Sequence, residues 1–158
     1  MKTKSIQSIK GTQDILPGEV HFWQEMERKI FEEMALFGFS EIRTPAFENT
    51  DLFSRSVGEQ TDIVSKEMYT FEDRSGGSLT LKPEATASVV RAFIQHNLDK
   101  INTLTRLFYI DALFRRERPQ KGRYRQFHQF GAELFGSEHP EADIEIISLA
   151  SSIFKSIG

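Results

Sequence analysis

Apolar residues recur at three- and four-residue steps in three segments, which is the spacing of one face of an α-helix. The first segment runs from Pro17 to Gly38, a glycine well placed to end a helix. The second opens at Pro83, since proline is favoured in a first helical turn, and the third begins at the stretch HPEAD. Buried positions expected in the first two are Trp23, Met26, Ile30, Met34, Phe37, Val89, Val90, Phe93, Ile94 and Leu98. The third helix places on one face Ile144, Ile147, Phe154 and Ile157.

Five further segments are rich in β-branched and aromatic residues, as strands are. FSEIRTPAFE predicts a short strand ended by Pro45, because proline cannot donate to a central ladder. MYTFED and SLTLK flank RSGG and predict a hairpin, while ENTDLFSRSVGEQTDIVSKE predicts a short helix and a mobile loop. TRLFYIDALF and RQFHQFGAELF predict two more strands around a basic loop. The pattern indicates an α+β domain, an antiparallel β-sheet flanked by helices.

The composition excludes several classes of protein. The 158 residues are 39% hydrophobic and include 14 phenylalanines, enough for the core of one domain. No apolar run approaches the ~18 residues of a membrane span, and MKTKSIQSIKGTQ lacks a secretory apolar core. A soluble cytoplasmic protein is therefore expected. The absence of cysteine excludes thiolate metal sites, and the histidines show no metal-site spacing, at His21, His96, His128 and His139.

Residues 114–136 read FRRERPQKGRYRQFHQFGAELFG and concentrate positive charge in a chain of net charge -3. A guanidinium at the end of the first strand suits a phosphate, and cations in the loop suit a flexible polyanion. A solvated hairpin tip is the alternative. Strand alternation places an amide, a carboxylate and a bare glycine on one face, which favours a pocket floor over a core face; this face holds Phe127, Gln129, Gly131 and Glu133.

The same stretch resembles motif 2 of the class II aminoacyl-tRNA synthetases, and specifically that of the histidyl-tRNA synthetases. KGTQDILP is similar to the family's amino-terminal signature, GFSEIRTPAFE (38–48) resembles motif 1, and residues 57–92 resemble the histidine-binding segment. On this resemblance motif 2 spans about 106–135. Residues 1–158 would then form the amino-terminal part of a class II catalytic domain, ending before motif 3 and without an anticodon-binding domain.

The resemblance implies a histidine–tRNA ligase, which makes histidyl-adenylate from L-histidine and ATP with Mg²⁺ and transfers histidine to tRNA(His). It implies that Arg115 is the catalytic arginine, bridging the histidine carboxylate and the α-phosphate. It also implies that Glu133 receives the imidazole N–H, although an ordinary strand-end acid remains an alternative. Helix capping is compatible with a ligand role for Glu84. The expected histidine-binding set is Glu84, Ala85, Thr86, Arg115, Gln129 and Glu133.

Further roles follow from the resemblance alone. The expected ATP-binding residues are Arg115, Glu117, Arg123, Tyr124 and Phe127, of which the last two are explained equally well by packing. The loop residues expected near the tRNA acceptor end are Arg118, Gln120, Lys121 and Arg125. Pro45 is expected at a homodimer interface. No metal site and no tightly bound prosthetic group are expected.

Three departures from the family pattern leave alternatives open. Lys82 and Ala85 stand where the family usually has arginine and glycine, and Asp111-Ala112 stand where Gly-Pro is common. A non-ligating paralogue, acting as a regulatory subunit in histidine biosynthesis, is one alternative, and a tRNA-binding module is another. The intact motif 2 loop favours the ligase. With motif 3 missing, weak or no activity is expected of the chain alone.

Overall fold

The computed structural model describes residues 5–57, 66–118 and 120–158. These residues form the α-helices and β-strands given below. A 3₁₀ turn, Leu98–Lys100, follows the third helix. In chain order the elements are α1 (Val20–Leu36), β1 (Ser40–Glu41), β2 (Phe47–Asn49), α2 (Thr50–Val57), β3 (Tyr69–Glu72), β4 (Ser78–Leu81), α3 (Thr86–Gln95), β5 (Thr105–Phe114), β6 (Gln126–Phe135) and α4 (Pro140–Ile157).

The β5–β6 hairpin is the central feature. Its strands pair antiparallel over their full length, from Thr105 opposite Phe135 to Phe114 opposite Gln126. The short strand β1 pairs parallel with β5, and a second sheet has the order β2-β4-β3 with antiparallel pairing. The predicted α+β fold with helices flanking a largely antiparallel sheet is confirmed.

The two faces of the hairpin have different partners. One face packs against α1 and α4 in a cluster of Ile30, Met34, Phe39, Phe108, Leu149 and Ile153. The other face packs against the start of α3 in a cluster of Ala85, Val89, Leu107, Tyr109 and Leu113. Directly opposite residues of an antiparallel pair share a face, so the second face also carries the polar residues described below.

The first helix ends where the sequence predicts, whereas another helix begins later than predicted. Gly38 has a φ of +74°, and the N–H of Phe39 donates to Met34 O at 2.9 Å, a glycine-ended helix terminus. The helix predicted to open at Pro83 is different, because it is α3 and it begins at Thr86. Residues 83–85 instead form a turn that reaches toward the hairpin.

On two helices, apolar residues that the sequence places in a stripe are exposed to solvent. On α4 the predicted face is solvent-exposed, with Ile144, Ile147 and Phe154 each 60–68% exposed, while Leu149 and Ile153 are buried. This helix is apolar on two sides, so periodicity alone does not select the buried one. On α3 Ile94 is 67% exposed. The predicted short helix after Pro45 is present as α2, whereas the loop predicted after it lies mostly outside the described residues.

Candidate active site

A polar cluster lies on the α3-facing side of the hairpin. The register places Gln129 opposite Asp111, Gly131 opposite Tyr109 and Glu133 opposite Leu107. Gln129 Nε2 donates to the Tyr109 hydroxyl at 3.1 Å. The predicted alternation of β6 is therefore confirmed, and His128 points to the other face, where its ring centroid is 4.9 Å from that of Trp23.

The first turn of α3 brings two more polar groups to this face. Thr86 Oγ1 donates to Glu133 Oε1 at 2.7 Å. The Glu84 carboxylate accepts the Ala87 N–H at 3.1 and 3.3 Å, so it caps the helix. Thr86 is exposed and Glu133 only partly buried, so the cluster is open to solvent on one side. A ligand can reach both carboxylates.

The electrostatics of the cluster favour a cationic or N–H-donating ligand. Burial raises the pKa of Glu133 above its ordinary 4.5, the hydrogen bond from Thr86 opposes this shift, and the charge of Glu84 raises the pKa further. Two carboxylates that repel each other are both stabilised when a positive group binds between them. The arrangement is suited to an ammonium and an imidazole N–H.

Tyr109 belongs to this cluster although the sequence did not single it out. It is 4% exposed, and a Cβ at position 131 would lie 2.3 Å from its hydroxyl oxygen. Only a glycine opposite it leaves room for the ring. Burial raises the pKa of Tyr109 above 10, and the charge of Glu133 adds to this, so the phenol is neutral at physiological pH. The sequence gives no direct signal for this role, because the position of Tyr109 opposite Gly131 depends on the strand register.

Arg115 directly follows β5 and is held at the same turn. Its Nε donates to Pro83 O at 2.9 Å, and its guanidinium lies 5.1 Å from the Phe127 ring centroid. Within residues 5–57, 66–118 and 120–158, its two terminal nitrogens make no hydrogen bond. They are therefore free to bind an anion next to Glu84, in the bidentate geometry that arginine favours.

The basic loop is attached to its surroundings at one end. Arg123 Nη1 lies 3.4 Å from Glu117 Oε2, and Arg125 Nε donates to Glu117 O at 3.5 Å. The backbone N–H of Arg125 donates to Gly11 O at 2.6 Å, which ties the loop to the amino-terminal segment. Among its described residues, the exposed ones are Arg116, Arg118, Gln120, Lys121, Gly122, Arg123 and Tyr124.

The structure separates the remaining predicted residues from the polar cluster. Tyr124 is 41% exposed and lines a different cavity, of about 270 Å³, together with Trp23 and Phe127. Pro45 is exposed and lies between β1 and β2. Two cavities of about 410 and 420 Å³ lie elsewhere, at the start of α4 and beneath the loop. Among the described residues no group of three or more acidic or histidine side chains could hold a metal ion.

Residues 11–158 match the sequence profile of the histidyl-tRNA synthetases. The chain belongs to this family. Among the described residues of this synthetase family member, no helix is long and apolar enough to cross a membrane.

Named relatives agree with this assignment. The chain is 56% identical over 153 residues to a histidine–tRNA ligase of Solibacter usitatus and 53% identical over 154 residues to one of Syntrophotalea carbinolica. These alignments cover 97% and 98% of the chain but 37% of each relative. The chain therefore spans little more than a third of the curated relatives it matches.

Solved structures have the same fold. The apo histidyl-tRNA synthetase of S. aureus superposes with a TM-score of 0.83 at 40% identity, covering 98% of this chain and 35% of that one. A Bacillus halodurans protein described as an ATP phosphoribosyltransferase regulatory subunit/histidyl-tRNA synthetase gives 0.83 at 27% identity, covering 99% of this chain and 39% of that one. The catalytic fold of class II synthetases, predicted from the motifs, is confirmed.

Two of the family departures occupy buried positions. Ala85 is 1% exposed, and its methyl group belongs to the apolar cluster with Val89 and Leu113. Lys82 is also 1% exposed and forms an ion pair with Asp111. Two departures that look independent in the sequence are therefore partners in space.

Proposed function

We propose that this chain supplies the histidine-binding face of a histidine–tRNA ligase, which activates L-histidine with ATP delivered as its magnesium complex. One observation carries the proposal: Glu84, Thr86 and Glu133 meet at one end of a hairpin face, beside Gln129 and Tyr109. The names of relatives that are 53–56% identical support the ligase over the regulatory paralogue and over a separate RNA-binding module.

The amino acid would bind by its two nitrogen-bearing ends. An ammonium has three donors, and the carboxylate of Glu84, the hydroxyl of Thr86 and the amide oxygen of Gln129 offer acceptors for them. The Glu133 carboxylate accepts an imidazole N–H, which sets the preference for histidine. The backbone of Ala85 connects Glu84 to Thr86, so its contribution is to hold the turn, with its methyl group in the core.

Arg115 would act on the other end of the amino acid. A carboxylate oxygen of histidine attacks the α-phosphorus of ATP, the bond from that phosphorus to the bridging oxygen breaks, and pyrophosphate leaves with the electron pair. The free terminal nitrogens of Arg115 bind the histidine carboxylate and an α-phosphate oxygen. They bring two anions together and stabilise the charge that builds up in the transition state.

The loop and the rest of the catalytic cycle are part of the same proposal. Glu117 and Arg123, which already form an ion pair, would contact the adenine end of ATP together with Tyr124 and Phe127. The acceptor end of tRNA(His) would approach loop residues, where its 3′ hydroxyl displaces AMP from the adenylate. These residues are Arg118, Gln120, Lys121 and Arg125.

The proposed assembly is a cytoplasmic homodimer. Pro45 is exposed between two edge segments, which leaves it available at a subunit interface. Residues 1–158 would be the amino-terminal part of the catalytic domain, with motif 1 at 38–48 and motif 2 at 106–135.

Calorimetric titration of the chain with L-histidine tests the proposal. We expect one histidine per chain, and Glu133→Gln should raise the dissociation constant about 10- to 100-fold, as expected for a hydrogen bond to a charged group of ~1.5–3 kcal/mol. Glu138→Gln, which neutralises an exposed acid after β6, is the matched control and should bind as the parent does. Absence of histidine binding by the folded chain, or equal binding of lysine, would contradict the proposal.

A further inference from the structure

Lys82 is a buried cation whose three donors all have acceptors. Its Nζ pairs with the Asp111 carboxylate and donates to Thr44 O at 3.2 Å and to Thr44 Oγ1 at 3.3 Å. With an exposure of 1%, Lys82 is one of the most deeply buried large side chains in the described residues. An ammonium group has three N–H donors, so this one is fully satisfied inside the protein.

The backbone of Lys82 contacts the same two neighbouring segments as its side chain. Its N–H donates to Ala46 O at 3.0 Å, and its carbonyl accepts the Phe114 N–H at 3.0 Å. The segment 44–46 and strand β5 are therefore each bound twice, once by the main chain and once by the ammonium. This makes Lys82 the point where β4 is fixed relative to both.

The proposed ligand groups start immediately beyond this point. Pro83 O accepts the Arg115 Nε–H at 2.9 Å, and Glu84 is the next residue. On the other side, Asp111 lies directly opposite Gln129 in the hairpin register, and its second carboxylate oxygen accepts the Ala112 N–H at 2.8 Å. A shift of Lys82 relative to Asp111 would therefore move the turn relative to the hairpin.

Stability alone gives little reason for such a pair. Desolvating the Lys82 ammonium is costly although Asp111 is 25% exposed, and apolar side chains of similar volume often stabilise a fold as well as or better than an ion pair. What the pair provides is a defined position, because an ammonium with three fixed acceptors allows one arrangement of the three segments. Buried hydrogen-bonded networks restrict a core to a single geometry in this way.

We propose that Lys82, Asp111 and Thr44 form a positioning network that sets the distance between the Pro83–Ala85 turn and the hairpin. The network fixes the guanidinium of Arg115 and the carboxylate of Glu84 relative to Gln129. Its consequence for histidine binding rests on the proposed function, whereas its consequence for Arg115 does not. Lys82 and Asp111 are positioning residues, and neither needs to touch the substrate.

A double-mutant cycle on Lys82→Met and Asp111→Leu tests the network through histidine affinity. Each single change should raise the dissociation constant of histidine by about 10-fold or more, and the double change by no more than either single one, because the two side chains act as a unit. Asp111→Asn keeps an acceptor for the ammonium and should bind histidine within about threefold of the parent. Circular dichroism confirms that each variant is folded at the temperature of titration.

The ion pair between Arg106 and Glu145 provides the control. Arg106 lies on β5 too, but it pairs with α4 on the opposite face, with its Nη2 2.9 Å from Glu145 Oε2, and its side chain is 28% exposed. Arg106→Met should lower the unfolding midpoint and leave histidine affinity unchanged. If Lys82→Met behaves in the same way, Lys82 is only structural and the proposal is wrong.

A second measurement tests the positioning network without histidine. The Arg115 Nε–H resonance in nitrogen-resolved NMR, assigned with Arg115→Lys, reports the bond to Pro83 O. Lys82→Met and Asp111→Leu should shift this resonance and speed its exchange with water, and Arg106→Met should not. If the parent chain binds no histidine, the proposed function fails, and this resonance still tests the network. An unmoved resonance in Lys82→Met overturns it.

Discussion

Replacing Gly131 by alanine tests the close contact between this glycine and the Tyr109 ring in the candidate site. A Cβ at this position would lie 2.3 Å from the Tyr109 hydroxyl oxygen, 2.4 Å from Cζ and 2.8 Å from Cε1. All three distances are below any ordinary contact, and the Tyr109 ring is only 4% exposed. Gly131 lies in a regular strand without a positive φ. The alanine backbone is therefore tolerated, and the whole cost comes from the ring.

The magnitude follows from two losses. Forcing an extra carbon into a packed site costs about 1–3 kcal/mol, and displacing the ring breaks the 3.1 Å hydrogen bond between Gln129 and Tyr109, worth about 0.5–1.5 kcal/mol. Together the free energy of unfolding should fall by roughly 2–4 kcal/mol. For a domain of this size that corresponds to a decrease of about 5–15 °C in the unfolding midpoint.

Thermal unfolding followed by circular dichroism measures this decrease, and a second background identifies its cause. In Tyr109→Leu the obstructing ring is absent, so Gly131→Ala should cost less than about 1 kcal/mol there, or even stabilise by restricting the unfolded chain. Gly77→Ala is the matched glycine control, because the nearest atom to its added Cβ is 4.0 Å away. An unchanged midpoint for Gly131→Ala in the parent, or an equal loss in Tyr109→Leu, would refute the reasoning.

Two further predictions concern charge. The pKa of Glu133 is raised on folding, so between its ordinary 4.5 and the raised value the folded chain binds more protons than the unfolded chain. The free energy of unfolding should decrease as pH rises through that window, and Glu133→Gln should remove this decrease in denaturant titrations at several pH values; an unaltered pH profile would contradict it. In the loop, the double change Arg118→Ala and Lys121→Ala should reduce the salt dependence of tRNA binding by roughly 1.4–1.8 in the slope of log K against log salt. Lys155→Ala on α4 is the control, and an equal slope in all three proteins would exclude the loop from the RNA contact.

Alternation along one strand was enough to predict the polar face of β6, because strand period depends only on local geometry. Gln129, Gly131 and Glu133 share a face as expected. The residues of β5 that lie opposite them could not be predicted in the same way. Tyr109 belongs to the site because the register places it opposite Gly131, and register depends on where the eleven-residue loop 115–125 closes.

The helix boundaries show a different limit of sequence patterns. Pro83 predicted the start of α3, yet the helix begins three residues later, since the intervening turn is used for tertiary contacts. The carbonyl of Pro83 accepts Arg115 Nε–H, and the carboxylate of Glu84 accepts the N–H of Ala87. On α4 the apolar face identified from the sequence is the exposed one, because both sides of that helix are apolar and packing against α1 selects the other. Lys29 and Glu33 of α1 contact α4 through Ser156 and Ser152.

The departures from the family pattern at Lys82 and Asp111 are explained only when the two residues are considered together. Taken singly, a lysine in place of an arginine loses a bidentate fork, and an aspartate in a mostly apolar strand is an acid without an evident partner. In the structure each supplies what the other lacks, because the ammonium of Lys82 neutralises Asp111 and the carboxylate satisfies the ammonium. Replacing Asp111 by the glycine common in the family would leave the buried ammonium of Lys82 without its counter-charge, whereas Lys82→Arg would keep the positive charge. Asp111 is therefore explained by the ammonium of Lys82, and this departure by itself does not argue against a ligase.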